Sequence, residues 1–305
     1  MLFNRRLAAR VSPSMSVNIR DDHLLPWKFD QHDRILIIAP HPDDEVLAAG
    51  GVIATFLRSR APSAIRVIVA TNGDASYISA FLHGSHTLGR NNFRSLAVKR
   101  QQESLSALAV LGMSVEQVRF WGFPDRGLAM LWQSLKKTQL PYHSYTTGYD
   151  NSTQALNSPV LPFTGENLLE LFYKELCEFC PTSIIFPHLQ DAHSDHSALA
   201  DFTLMAVRRY HTQTGIQPPM LLAYRIWLRK KVWLTGIRSR RLNQVSVKDE
   251  SPLIKIYCVN LTPEIQEQKR QALQRYRSQR QAAGQILRNA AHSAYEIFTL
   301  YEIAS

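Results

Sequence analysis

Residues 35–51 read ILIIAPHPDDEVLAAGG, and no other stretch constrains the chain as tightly. Ile35 to Ala39 form a short, continuous run of β-branched and aliphatic residues, the pattern of a strand buried on both faces. His41, Pro42, Asp43, Asp44 and Glu45 follow at once. The fold must therefore end a buried strand beside three adjacent carboxylates. These repel one another unless a cation or a set of hydrogen-bond donors balances them.

The same alternation continues along the chain. Apolar runs at 34–40, 64–74, 115–123 and 182–188 predict strands, and the periods at 46–60, 94–112, 126–136, 167–180 and 197–211 predict helices. Strands alternating with helices imply an α/β fold, a Rossmann-like three-layer sandwich with a mostly parallel sheet. Ligands in such sheets bind beyond the carboxyl ends of the strands. The polar groups at His41–Glu45, Thr71–Asp74, Asp125 and His188–His196 all fall there. The last third changes character: an extended strand or hairpin arm at 220–234, a strand at 252–262, and one long polar helix over 263–289 opened by Pro263. These read as C-terminal strand and helix additions to a single domain spanning 33–305. Residues 1–32 read as a poorly ordered leader, and 139–166 as a long loop of functional or mobile character.

The formal net charge of +10 makes acidic partners plausible, although most such charge is solvated surface. The stretch 227–241 interleaves Trp227 and Trp233 with Arg and Lys, as nucleic-acid binders do. That reading leaves both His/Asp clusters unexplained, so no nucleic-acid partner is expected; peripheral contact with an anionic membrane fits the same patch. Three cysteines do not make a disulfide framework. Cys177 and Cys180, at the end of a helical pattern, are expected to be buried core residues, and with Cys258 the only other cysteine a reducing, cytoplasmic setting fits. No apolar run is long enough to span a membrane, and the first residues lack the apolar segment of a secretory signal.

A divalent cation would relieve the crowded carboxylates. Zinc accepts imidazole nitrogen and carboxylate oxygen, and a catalytic zinc takes three protein ligands and keeps one position open. His41 and Asp44 are three residues apart, a spacing that a turn at a strand exit can fold around one ion. The second cluster, His188, Asp191, His193, Asp195 and His196, also follows a buried strand and can supply the third ligand. Iron(II) or cobalt would suit the same donors.

PHPDDE at 40–45 together with HSDH at 193–196 resembles the PIG-L/LmbE-like family of zinc-dependent N-acetylglucosaminyl deacetylases. TNGD at 71–74, RQQESLSALAVLG at 100–112, FPDRGL at 123–128, RYRSQ at 275–279 and YEIF at 295–298 extend the resemblance over about residues 33–300. It implies one zinc ion per chain on His41, Asp44 and His196. It also implies Asp43 as the general base on the attacking water, and His193 as oxyanion stabiliser or proton donor to the leaving amine. Asp195 would orient a neighbouring histidine, and Arg100, Asp125 and Asp74 would lie near the sugar. The implied reaction is removal of an N-acyl group, most simply acetyl, from an amino sugar or its conjugate. A lipid-linked sugar, a thiol conjugate or an antibiotic amino sugar would use the same site. Of the remaining polar residues, Glu45 is expected to brace the following helix, His188 to pack at a strand end, Asp191 to be a loop acid, and His83 and His86 to face solvent.

Overall fold

The computed structural model describes residues 24–83, 88–135, 140–227 and 255–303. In chain order they form β1 (Leu24–Pro26), β2 (Ile35–Ala39), α1 (Asp44–Leu57), β3 (Ile65–Thr71), α2 (Tyr77–His83), α3 (Arg90–Val110), β4 (Val118–Phe123), α4 (Leu128–Ser134), α5 (Gly165–Phe179), β5 (Ser183–Pro187), α6 (Ser194–Thr214), β6 (Met220–Tyr224), β7 (Ile256–Asn260), α7 (Pro263–Leu273), α8 (Arg280–Ala291) and β8 (Tyr295–Tyr301). The strands make one sheet in the order β1-β7-β8-β6-β5-β2-β3-β4. Its pairs are parallel except around β8, which runs antiparallel to both β6 and β7. The expected α/β sandwich is the observed fold.

The continuous apolar run of β2 follows from this architecture. Ile35, Ile37 and Ala39 face the layer that holds α1 and α7, and Leu36 and Ile38 face the layer that holds α5 and α6. All five are fully buried. From β2 the chain winds outward to β3 and β4, then crosses to β5 and β6 on the other side. The winding direction thus reverses between β2 and β5, and a crevice opens at such a point beyond the carboxyl ends of the strands. His41–Glu45 leaves β2 there, and His188–His196 leaves β5.

The C-terminal elements act directly on α1. That helix is broken at Ala49, whose φ of −135° and ψ of 16° are not helical. The freed groups are caught from outside: Lys269 Nζ on α7 donates to Leu47 O at 3.0 Å, and Glu296 on β8 accepts from Gly51 N at 2.7 Å and Val52 N at 2.8 Å. Lys269 and Glu296 are both buried and pair at 2.5 Å. A side chain at Gly51 would collide with Leu261, so close approach of α1 to the C-terminal part requires glycine there.

Three expectations need correction. The single helix over 263–289 is two helices. Tyr276 and Ser278 turn inward between them, Tyr276 Oη donating to Glu45 Oε1 at 2.7 Å and Ser278 N to Glu103 at 2.9 Å; these tertiary bonds override helix propensity. The leader boundary at 32 also moves: β1 pairs with β7, and Trp27 is buried against Phe298. Residues 1–23 lie outside the described residues. Cys177 and Cys180 are exposed, because the buried stripe of α5 runs through Leu168, Leu171, Phe172, Leu176 and Phe179 and leaves both cysteines off it; Cys258 is buried. Of the arm at 220–234, β6 occupies 220–224, and the basic stretch beyond Trp227 lies outside the described residues. No helix among the described residues is long and apolar enough to cross a membrane.

Removing one member of a buried ion pair leaves the other uncompensated. Lys269→Met should therefore lower the unfolding free energy by about 3–5 kcal/mol, read from urea denaturation. A loss below about 1 kcal/mol would show that the pair does not hold the α1 break.

Candidate metal centre and active site

The turn after β2 sets the site. Asp43 has φ 119° and ψ −32°, a region that residues with side chains rarely occupy. Neighbouring groups hold it in place. Glu45 Oε2 accepts from Asp43 N at 2.8 Å, and Arg100 Nη2 on α3 donates to Pro42 O at 2.5 Å and lies 3.3 Å from Asp43 Oδ2. Arg100 Nη1 donates to Gly73 O at 2.6 Å, joining this turn to the one after β3. Gly73, at φ +62°, lies against the guanidinium with no room for a side chain. Glu45 also accepts from Ser104 Oγ and Tyr276 Oη. It braces the turn as well as the helix.

The three expected ligands are joined through Asp44. Asp44 Oδ2 lies 3.1 Å from His41 Nδ1 and 3.2 Å from His196 Nε2. Ligand atoms around one ion at about 2.0–2.2 Å stand roughly 3–3.5 Å apart. Each histidine is backed on its far side. His41 Nε2 is 3.3 Å from Asp195 Oδ2 and 3.3 Å from Asp125 Oδ1, and His196 Nδ1 is 3.4 Å from Asp191 Oδ2. These carboxylates are themselves anchored: Asp195 accepts from Arg126 N and Leu128 N, Asp125 from Ala75 N, and Asp191 from His193 N, Ile226 N and Trp227 N. A metal ligand histidine backed by an anchored carboxylate is the usual arrangement around such ions.

Two observations show that the residues fit a divalent cation. Both ring nitrogens of His196 are buried without a well-formed hydrogen bond, and buried polar groups normally have one. Asp43, Asp44, Asp125, Asp191 and Asp195 are all buried, faced by Arg100 alone among buried arginines of the described residues. The protonation balance carries the same strain. Burial pushes the Asp43 carboxyl up to about 8, against the pull of Arg100 and with the push of Asp44 and Glu45. Burial disfavours charge on His196, yet Asp44 and Asp191 raise it to about 9. Burial would raise Asp44 as well, but His196 and His41 hold it well below the carboxylate range. A bound dication supplies the positive charge that these histidines otherwise take up as protons.

Two groups of three have ligand atoms that all lie within 4.8 Å of one another: His41, His193 and His196, and His41, Asp125 and Asp195. In the second, Asp125 and Asp195 are already committed to backbone N–H donors, so they read as the layer that orients His41.

A cleft of about 410 Å³ opens over the centre. His41, Asp43, Asp44, Arg100, Asp125 and His193 line it. Asp195 and His196 are fully buried behind it. Asp74 stands back from the lining: its carboxylate accepts from Thr146 Oγ1 at 2.8 Å, and burial next to Asp125 pushes it up to about 7. His193 caps α6, its Nδ1 accepting from Asp195 N at 3.2 Å, which places its proton on Nε2. Burial, with His41 and His196 nearby, lowers it to about 4, so the ring is neutral. His188 is buried against Arg225 and Tyr301, with burial depressing it to about 3, and packs at the strand end as expected. His83 contacts Lys99 at the end of α2; His86 lies outside the described residues. Asp191 lies in the loop between β5 and α6 as expected, but sequence reasoning missed that it is buried and backs His196. Its place in the second cluster, five residues before His196, was the available signal.

The family model for GlcNAc-PI de-N-acetylases, PIG-L, matches residues 36–207, more than half of the chain. The chain belongs to that family. Three solved structures illustrate the shared fold. The A40926 pseudoaglycone deacetylase Dbv21 is 20% identical, with 89% of this chain and 96% of that one covered and a TM-score of 0.53. The N,N'-diacetylchitobiose deacetylase of Pyrococcus horikoshii is 17% identical, with 90% and 87% covered and a TM-score of 0.50. GalB, the 4-carboxy-2-hydroxymuconate hydratase of Pseudomonas putida, is 14% identical, with 90% and 98% covered and a TM-score of 0.54. No curated protein sequence matches the chain.

Loss of a carboxylate that orients a ligand histidine typically weakens metal binding about 10–100-fold. Asp191→Ala should show a loss of that size in competition with a chromogenic chelator. Unchanged affinity would mean that Asp191 does not serve the centre.

Proposed function

We propose that the protein is a metal-dependent hydrolase that removes an N-acetyl group from an amino sugar or its conjugate. The observation that carries this reading is a division of labour in the cleft. Asp44 touches both histidines of the expected ligand set, while Asp43 beside it makes neither contact and lines the cleft together with His193. The reaction class rests on family membership and this side-chain set, since a hydratase shares the fold.

His41, Asp44 and His196 would hold the ion. Their two imidazoles and one carboxylate suit zinc, and iron(II) or cobalt would accept the same donors. When bound, the ion supplies Lewis acidity that activates water near neutral pH and draws electron density from the acyl oxygen. The chain's own groups do the rest. The Asp43 carboxylate takes the proton from the attacking water, and Arg100 and Glu45 keep it aimed by fixing its turn. His193 Nε2–H donates a hydrogen bond to the developing oxyanion, and the proton that Asp43 took from the water passes to the departing amine as the C–N bond breaks. Asp195 and Asp191 hold His41 and His196 in the orientations that leave Nδ1 and Nε2, respectively, for the ion. Arg100 and Asp125 face the cleft, where sugar hydroxyls would be met. Substrates with another N-acyl group, such as a lipid-linked sugar, a thiol conjugate or an antibiotic amino sugar, would use the same machinery. The named activities of the relatives on diacetylchitobiose and on an antibiotic pseudoaglycone support that range.

The test is Asp43→Asn. Metal content by elemental analysis should stay at that of the wild type while acetate release from N-acetylglucosaminides falls by at least about a hundredfold. Full activity in a metal-loaded Asp43→Asn protein would contradict the assignment of the base.

A further inference from the structure

The stretch RYRSQ at 275–279 brings the C-terminal part to the cleft through a residue that the mechanism above does not use. Tyr276 reaches Glu45 and Ser278 reaches Glu103. Gln279 lines the cleft itself, yet only 3% of it is exposed. Its amide nitrogen Nε2 donates to Ser278 Oγ at 3.0 Å and to Ser79 Oγ at 3.3 Å.

An amide can be turned end for end, so its partners decide which end faces where. Here they leave one choice. The Ser278 hydroxyl proton is committed to Glu103 Oε2 at 2.6 Å, and the Ser79 hydroxyl proton to Ser278 O at 2.8 Å. A hydroxyl has a single proton, so both serine oxygens can only accept from Gln279. The NH2 end must face them, and the carbonyl oxygen Oε1 points the other way. Oε1 has no partner among the described residues, nor is it among the fully buried oxygens left without one. It therefore reaches the open space that Gln279 borders. Ser76, also in the cleft wall, turns its proton inward to Ser79 Oγ at 2.9 Å. At these two side chains the wall presents acceptors and no donors, on a framework fixed from α2, α3 and the break between α7 and α8.

Resting on the deacetylase reading above, we propose that Gln279 is a specificity-determining residue whose Oε1 accepts a hydrogen bond from one hydroxyl of the amino sugar, so that the site selects a sugar with that hydroxyl free. The amide is aimed before any substrate arrives. A sugar that brings no donor to this place leaves Oε1 unpaired, which is how a polar site rejects an analogue.

The test measures kcat/KM for acetate release from the methyl glycoside of N-acetylglucosamine and from forms in which one hydroxyl at a time is replaced by hydrogen or by fluorine. It uses the full-length metal-loaded protein and its Gln279→Met variant, in which the side chain keeps its length and loses the acceptor. In the wild type, one position should lose roughly 3–10-fold with either replacement, the size of one neutral hydrogen bond, because fluorine cannot donate. In the variant, the parent glycoside should fall by a similar factor, and replacement at that position should cost nothing further, the non-additivity expected of two groups in contact. Replacement penalties that are the same in the variant at every position show a structural role alone; they overturn the inference and leave the deacetylase reading standing. A wild type that accepts the fluorinated form at every position as well as the parent also overturns it, and that result needs no variant. Absence of acetate from the parent glycoside overturns the deacetylase reading and this inference with it.

Discussion

Asp43, Asp44, Asp125, Asp191 and Asp195 are buried within a few ångströms of His41 and His196, and charge taken out of water needs a partner. The fold provides partners in three layers. Backbone N–H groups at the strand exits bind Asp125, Asp191 and Asp195. Helices α1 and α6 both begin in the cluster, so the positive ends of two helix dipoles point at it. Arg100 spans the turns after β2 and β3. What remains unbalanced is the space shared by His41, Asp44 and His196, where the proposed divalent ion would replace protons that the histidines otherwise carry.

The rest of the architecture keeps that cluster in register. The reversal between β2 and β5 brings two segments about 150 residues apart to one crevice. The C-terminal elements look peripheral in sequence, yet they hold α1. Glu45 is tied to Tyr276, and the break at Ala49 is closed by Lys269 and Glu296. Because α1 starts at Asp44, anything that loosens the break is felt by a residue of the candidate ligand set. The antiparallel β8 between β6 and β7 carries Glu296 to the helix, which gives the mixed edge of the sheet a mechanical role.

Much of this was legible in the sequence because it depends on residue type and short spacing. The apolar run at 35–39 and the four buried strands specify the sheet, and PHPDDE with HSDH marks the two exits that meet. What was not legible depends on distant partners. Asp191 backs His196 only because the backbone at Ile226 and Trp227, just beyond β6, fixes its carboxylate. The break between α7 and α8 contains no proline or glycine; it exists because Tyr276 and Ser278 find Glu45 and Glu103. Asp74 follows β3 as Asp125 follows β4, but Thr146 of the long loop holds it back from the cleft. Cys177 and Cys180 sit one step off the apolar stripe of α5, a phase difference that composition does not reveal.

The central claim is that one ion sits between His41, Asp44 and His196. The most direct measurement is an anomalous difference map recorded at the absorption edge of the bound metal, on crystals of the metal-loaded protein. The account predicts a single peak within about 2.0–2.2 Å of His41 Nδ1, Asp44 and His196 Nε2, with Asp43 outside the ligand set. A peak on the other side of the imidazole, between His41 Nε2, Asp125 and Asp195, would contradict it, as would crystals of metal-supplemented protein with no peak in the cleft.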